Sequence, residues 1–434
     1  MEYLSTDKIL VIDLTTAEVE ESELDESLVE EKIGGIGITT HLYEKYKEDD
    51  PIIIGTGLLT GTTYTASASS QITAKSPVTD NVCHCPIIYK LGVEIKYSGF
   101  DYIVVKGKSQ SPVYLWIHDG VADISDAADI WGKDVWESTE ELRKFVGDDL
   151  LQTMLIGPAG EKGSDYAQVC FNQWSSPDRF GFGKLFGTKN LKGFAFRGMG
   201  LIEIAEPEDY VERSLEILKK VKENSFLEKK GVAHMLSALG EEDISEWIDP
   251  ITHRHSADYF TPYASNTALF LDEDPALLEE SKQEEPGVIV SDIYALLELK
   301  KLGLSAKDAG YALKACAKYG IDPFAVAKLS GKTTLDEIKD SFDSIEGDIA
   351  IPGKGLFSPW CPTTPIFDAF DISEEAITWW ERRQAVSMIF GIQPMFSLMC
   401  PELTEENMLE LASIGTDLEL TKETLDSVIG DILG

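Results

Sequence analysis

Between Arg179 and Gly198 the chain reads RFGFGKLFGTKNLKGFAFRG, with Gly181, Gly183 and Gly187 close together and Lys184, Lys189 and Lys192 interleaved. Glycine at that density serves backbone conformations or close approaches that a Cβ forbids. Free N–H groups beside lysines can cradle an anion. The same pattern describes a structural turn packed through its glycines, and a glycine run alone does not choose between the two. Cys83-His84-Cys85 places two thiols and an imidazole side by side, donors suited to Zn or Cu. A closed zinc site needs four ligands, and only His253 and His255 offer themselves as remote partners, so these are read as loop or core residues and no metal site is assigned. Trp360-Cys361-Pro362 lacks a second cysteine at redox spacing. Glu284-Glu285 read as solvated carboxylates. Gly34-Gly35-Ile36-Gly37 does not directly follow the first strand, which argues against a dinucleotide loop. No catalytic residue is assigned.

These residues need a scaffold. A chain of 434 residues with 43% hydrophobic content supports two or more domains around a large core. The net charge of −38 excludes nucleic acid as a partner, favours solubility, and points to a basic partner or a high-salt cytoplasm. No apolar run reaches the ~20 residues of a membrane span. The start, MEYLSTDKILVIDL, lacks the basic and apolar regions of a signal peptide. The six cysteines show no disulfide-framework spacing, so a reduced, cytoplasmic protein is expected.

Along the chain, Lys8 to Leu14 reads as a strand that turns at Thr15-Thr16 into a second extended run. Glu26 to Tyr46 is helical on both sides of its glycines. Pro51 to Thr62 is a buried strand followed by glycine turns, and Thr63 to Ser70 is loop. Tyr102 to Val105 and Pro112 to Ile117 are strands, with His118-Asp119-Gly120 as a hairpin turn. Trp131 to Asp134 precedes a helix to about Val146, Thr153 to Ile156 is a strand, and Gly157 to Gly160 is a turn. Pro207 opens a helix, with Glu206, Glu208 and Asp209 matched to its N-terminal dipole and Val211, Leu215 and Leu218 at helical spacing. Helical patterns continue from there: Asp292 to Tyr319 broken at Gly303, Ser373 to Phe390, and one or two helices across Thr404 to Leu433. Leu271 to Pro286 is an acidic linker or face, and Ile351 to Pro365 is irregular. The fold class is α+β: a strand-rich domain over 1–205 and an all-helical region over 206–434, with the boundary between Leu201 and Pro207.

The Arg179–Gly198 stretch resembles the segment that closes the N-terminal domain of aldehyde ferredoxin oxidoreductases, the tungsten-pterin enzymes. Arg179, Gly181, Gly183, Gly187, Lys189, Asn190, Leu191 and Lys192 match; Asp178 and Phe180 stand where that family has glycine. DLTT, GGxG, IGTGLLTGT, AKSP, SGFDYIVVKGK, PVYLWI, WGKD and IGPAGE recur in the family's order. The resemblance implies an N-terminal domain of two β-sheets, a pseudo-barrel-like base for the pterin, followed by a helical half. It also implies the family reaction, aldehyde to carboxylate with electrons passed to ferredoxin. Arg179, Gly181, Gly183, Lys189, Asn190 and Gly303 are carried over as cofactor-side residues.

Departures from the family pattern shape the functional expectation. Where the family holds a 4Fe-4S cluster with four cysteines, this chain has Asp258, Thr261, Ser265 and Gln393. The pterin motif D-x-x-G-L-D corresponds to Lys300-Lys301-Leu302-Gly303-Leu304-Ser305, with both aspartates gone; lysine cannot accept a hydrogen bond from pterin. Ala68-Ser69-Ser70 lacks the family arginine, Val82 to Tyr89 replaces glycines with bulky residues, and the block carrying a substrate-side histidine is missing between Tyr319 and Ser373. The expectation is a shortened, non-catalytic or partner-dependent paralogue that binds neither the cluster nor the tungsten-bis-pterin. It would act with a catalytic paralogue or redox subunit, or as a homodimer. The alternatives are an active tungstopterin oxidoreductase with an altered site and an external electron-transfer subunit, and a small-anion binding module at Gly181 to Lys192.

Overall fold

The apolar runs ILVI and IIIGT lie in the middle of a sheet covered on both faces, which is why they read as continuous rather than alternating. They belong to β1 (Lys8–Asp13) and β3 (Ile52–Thr56). With β2 (Glu18–Glu23), β4 (Ser70–Lys75), β5 (Val82–Ile87) and β6 (Tyr102–Lys106) they form a six-stranded sheet in the order β2-β1-β6-β3-β4-β5. Only β1 and β6 run parallel. β2 is exposed along its whole length and carries four glutamates, a charged edge that discourages pairing with another chain. The computed structural model describes residues 1–271, 287–357 and 376–434.

A second sheet has the order β10-β9-β11-β7-β8. Its strands are β7 (Val113–His118), β8 (Val121–Asp126), β9 (Gln152–Ile156), β10 (Val169–Phe171) and β11 (Leu191–Arg197). β7 and β8 form the expected tight hairpin through Asp119 and Gly120, both at positive φ. Asp134 caps the helix Val135–Val146 with a full capping box, so the WGKD segment is a helix start. α3 (Tyr89–Tyr97) packs against strands of both sheets, while α2 (Gly35–Tyr46) lies on the first sheet with α1 (Glu26–Lys32) beside it. Gly35, at φ 50°, lies so close to the helix Ala376–Phe390 that an added Cβ would stand 1.9 Å from the Met388 carbonyl oxygen. The G-G-x-G motif is therefore a helix-crossing point.

β11 ends at Arg197 and the long helix Pro207–Val221 follows. Among the described residues the remainder is helical except for a small sheet that the sequence did not announce: β12 (Thr252–Ser256), β13 (Asn266–Leu269) and β14 (Val288–Ile289). Its strands are two to five residues long, too short for period-two patterning to register. The expected helix–turn–helix is Ile293–Lys301 and Ala306–Tyr319. The acidic stretch beyond Leu271, Glu284-Glu285, Trp360-Cys361-Pro362 and most of Ile351 to Pro365 lie outside the described residues. One hydrophobic cluster runs from Leu4 to Ile432, so sheets and helices share a core. A smaller cluster around Tyr114, Leu142 and Leu155 sits under the helix Val135–Val146.

Candidate functional site

Gly181 adopts a left-handed conformation at φ 72° and starts the short helix Phe182–Thr188. A Cβ on Gly187 would lie 2.0 Å from the Gly160 carbonyl oxygen, and one on Gly183 would lie 2.7 Å from that of Ala167. The glycines thus let this helix rest directly on the backbone of the Gly157–Gln168 segment. The interleaved lysines are all engaged within the chain. Lys184 meets Asp165 at 2.5 Å, and Lys192, fully buried, meets Glu161 at 2.6 Å and the Lys133 carbonyl at 3.0 Å. Lys189 donates to the Gly107 carbonyl at 3.2 Å and stands 3.7 Å from Asp50. Burial holds Lys189 and Lys192 below the ordinary lysine range, against the opposing pull of Asp50 and Glu161. Asn190, at φ 55°, donates to the Ser109 carbonyl at 2.7 Å.

Arg179 points the other way, into the helical half. Its guanidinium is buried, bonds Asp292, stands 3.6 Å from Asp322, and lies 3.9 Å from the centre of the Phe324 ring. Arg179, Asp178, Asp322 and Gly181 help line a cleft of about 320 Å3 between the first sheet's loops and the helices. Burial raises the Asp178 carboxyl to about 6, although the backbone N–H groups of Phe180 and Val169 favour its charged form. Burial raises Asp322 to about 7, opposed by Arg179 and assisted by Asp292. Sequence reasoning named Arg179 and missed its acidic partners. Asp292 and Asp322 cap the helices Ile293–Lys301 and Pro323–Leu329, so they carried a capping signal and no sign of their cation.

Of the residues that the resemblance sets at cluster-ligand positions, Asp258, Thr261 and Ser265 are close in the chain and Gln393 lies far from them in sequence. Asp258 is buried; it accepts from Asn266 at 2.9 Å, and Gln393 also bonds its side chain. Its second oxygen, Oδ2, is buried without a hydrogen-bond partner. Burial raises its carboxyl above the ordinary range. Ser265 and Gln393 line one small cavity of about 30 Å3, room for a water molecule or two. Gln393 also caps the helix Pro394–Met399 through the Phe396 N–H, and Thr261 donates to the Tyr259 carbonyl at 3.3 Å.

Other expected residues are not brought to these places. Gly303, at φ 87°, turns the chain between Ile293–Lys301 and Ala306–Tyr319 and is absent from the lining of both cavities. Beside it, Lys300 pairs with Glu242 and Ser305 caps the second helix. Cys83, His84 and Cys85 lie on β5, where alternate side chains face opposite ways, so the imidazole points away from both thiols. His84 bonds Thr73 at 2.9 Å, stacks on Phe357, and is held neutral by burial, its pKa lowered to about 3. Burial pushes the Cys83 thiol up to about 12. His255 bonds Thr267 at 3.0 Å. Among the described residues no group of three His, Cys, Asp or Glu side chains is placed to hold a metal, and no described helix is long and apolar enough to cross a membrane.

Residues 9–198 match the model of the aldehyde ferredoxin oxidoreductase N-terminal domain. These residues carry the N-terminal domain of the aldehyde ferredoxin oxidoreductase family. Over 249 residues the chain is 34% identical to the tungsten-containing aldehyde ferredoxin oxidoreductase of Pyrococcus abyssi, covering 55% of this chain and 41% of that protein. It is 32% identical over 239 residues to the aliphatic sulfonate oxidoreductase WOR-like subunit of Pyrococcus furiosus, covering 50% of this chain and 37% of that one. The chain thus spans about two-fifths of the length of the curated relatives it matches. The fold extends further than the sequence match. The structure of the benzoyl coenzyme A reductase active-site complex BamBC with 1,5-dienoyl-CoA superposes with a TM-score of 0.79 at 18% identity, over 99% of this chain and 88% of that one. Two sheets followed by helices place Arg179 at the join between them.

Proposed function

We propose that this family member works through contacts with a partner, a catalytic paralogue or a redox subunit, and does not turn over aldehydes alone. The reading is carried by Asp258, Thr261, Ser265 and Gln393. All four are buried, Asp258 near Gln393 and Ser265 beside Gln393 at one cavity, and they offer a carboxyl, two hydroxyls and an amide. Such a donor set does not fit a 4Fe-4S cluster, which is held by thiolates. Nor do Lys300, committed to Glu242, and Ser305, committed to a helix cap, fit the pterin-binding role of the two aspartates they replace. A retained scaffold with altered donors supports a role in assembly, and one relative is itself described as a subunit.

The test is the content of iron, acid-labile sulfide, tungsten and molybdenum in protein purified without oxygen, together with anaerobic assays on several aldehydes with a viologen acceptor. The expected outcome is no stoichiometric iron or sulfide and no turnover. Turnover by the isolated chain, with tungsten or molybdenum near one per chain, would establish instead an active enzyme with an altered site.

A further inference from the structure

The helix Pro207–Val221 carries two apolar faces. Tyr210, Ser214, Ile217 and Val221 turn inward, toward the helix Glu405–Thr416. On the outer side Val211 and Leu215, one turn apart, are 42% and 51% exposed. Beside them Glu208, Glu212 and Glu216 form an acidic ridge at the same one-turn spacing. A shallow groove runs between the two ridges and ends at Lys219. Arg213 pairs with Glu216 at 2.9 Å, whereas no described ion pair uses Glu208 or Glu212. Exposed apolar side chains leave their surface in water, and like charges one turn apart weaken a helix. Both become favourable when a segment of complementary pattern lies along them.

We propose that the outer face of this helix docks a partner protein through a basic amphipathic helix, its apolar strip on Val211 and Leu215 and its lysines or arginines on Glu208 and Glu212. The proposal rests on the reading that the chain acts through contacts. A second copy of the chain is a poor occupant. An isologous pairing would set the acidic ridge against itself, in a chain with 76 acidic and 38 basic residues, and like charges across an interface oppose association.

The probe is a synthetic helical peptide of about five turns, ~18 residues, with leucines at one-turn spacing flanked by lysines, read by fluorescence anisotropy. Two controls accompany it: the same peptide with glutamates for lysines, and a scrambled peptide of the same charge with the apolar strip broken. The parent chain is expected to bind the basic peptide at least about tenfold more tightly than either control. Leu215→Asp, Val211→Ser and Glu212→Lys should each weaken binding by about tenfold or more. Raising salt from about 0.05 to 0.5 M should weaken it further as the Debye length falls. Circular dichroism identifies any variant that fails to fold, and the remaining variants then decide. Three results would overturn the proposal: equal binding of the scrambled peptide, folded variants that bind like the parent, or self-association of the chain that Leu215→Asp abolishes. Aldehyde turnover by the isolated chain would overturn the proposed function and leave these binding outcomes unchanged.

Discussion

Asp178 shows what a single substitution within a motif can change. It stands where the family pattern has glycine, and its carboxyl is buried against the N–H groups of Val169 and Phe180 at 3.2 and 2.9 Å. Its folded pKa of about 6 lies above the ~3.9 of an unfolded aspartate, so the folded chain binds an extra proton between those values. The stability this contributes is complete below about 3.9 and lost as pH rises through about 6. The loss is on the order of 3 kcal/mol, one pKa unit being worth about 1.4. Asp178→Asn cannot titrate, so the fall in stability between about pH 4 and 6 should be smaller by that amount than in the parent chain. Urea melts across that range measure it, and equal slopes for the two proteins would show that Asp178 is not the titrating group.

The contact between Pro158–Glu161 and Phe182–Thr188 is the element on which the glycine motif acts. Gly187 allows one helix to sit on the other's backbone, with the Gly160 carbonyl where a methyl group would be. Carbonyl and helix are both backbone and cannot swing aside as a side chain would. Gly187→Ala is therefore expected to destabilise the fold by at least about 2 kcal/mol, in the range of overpacked cores. A shift in the urea midpoint at unchanged slope would report it. A midpoint like that of the parent would mean that the two helices separate at little cost.

At the scale of the molecule, the shared core decides how the parts behave. We propose a boundary between the strand-rich 1–205 and the helical 206–434, an architectural division between units that fold together. The main hydrophobic cluster spans both, and Arg179 joins them through Asp292 and Asp322. One thermal transition is expected, with calorimetric and van 't Hoff enthalpies that agree; two resolved transitions would mean independent units. A net charge of −38 repels itself in the compact state, so the transition should rise as salt is added.

Several features of this protein followed from local chemistry. Strands in 1–205, the capped helix after Trp131-Gly132-Lys133-Asp134, the helix opened at Pro207 and the turn at Gly303 depend on periodicity, caps and turn residues a few positions apart. The ordered motifs of the first half carried the family assignment for the same reason. What spacing could not convey was direction. The lysines among the glycines fitted either an anion cradle or a packed structural turn in the sequence. Their partners Asp165, Asp50 and Glu161 are distant in the chain or across a turn, and only folding joins each pair. Cys83-His84-Cys85 read as loop or core residues, but the sequence did not show that a strand sends the imidazole and the thiols to opposite faces. Asp258 and Gln393, 135 positions apart, come together in the buried interior. Contacts of that kind are set by the packing of the helical half on the sheets, and no local pattern encodes them.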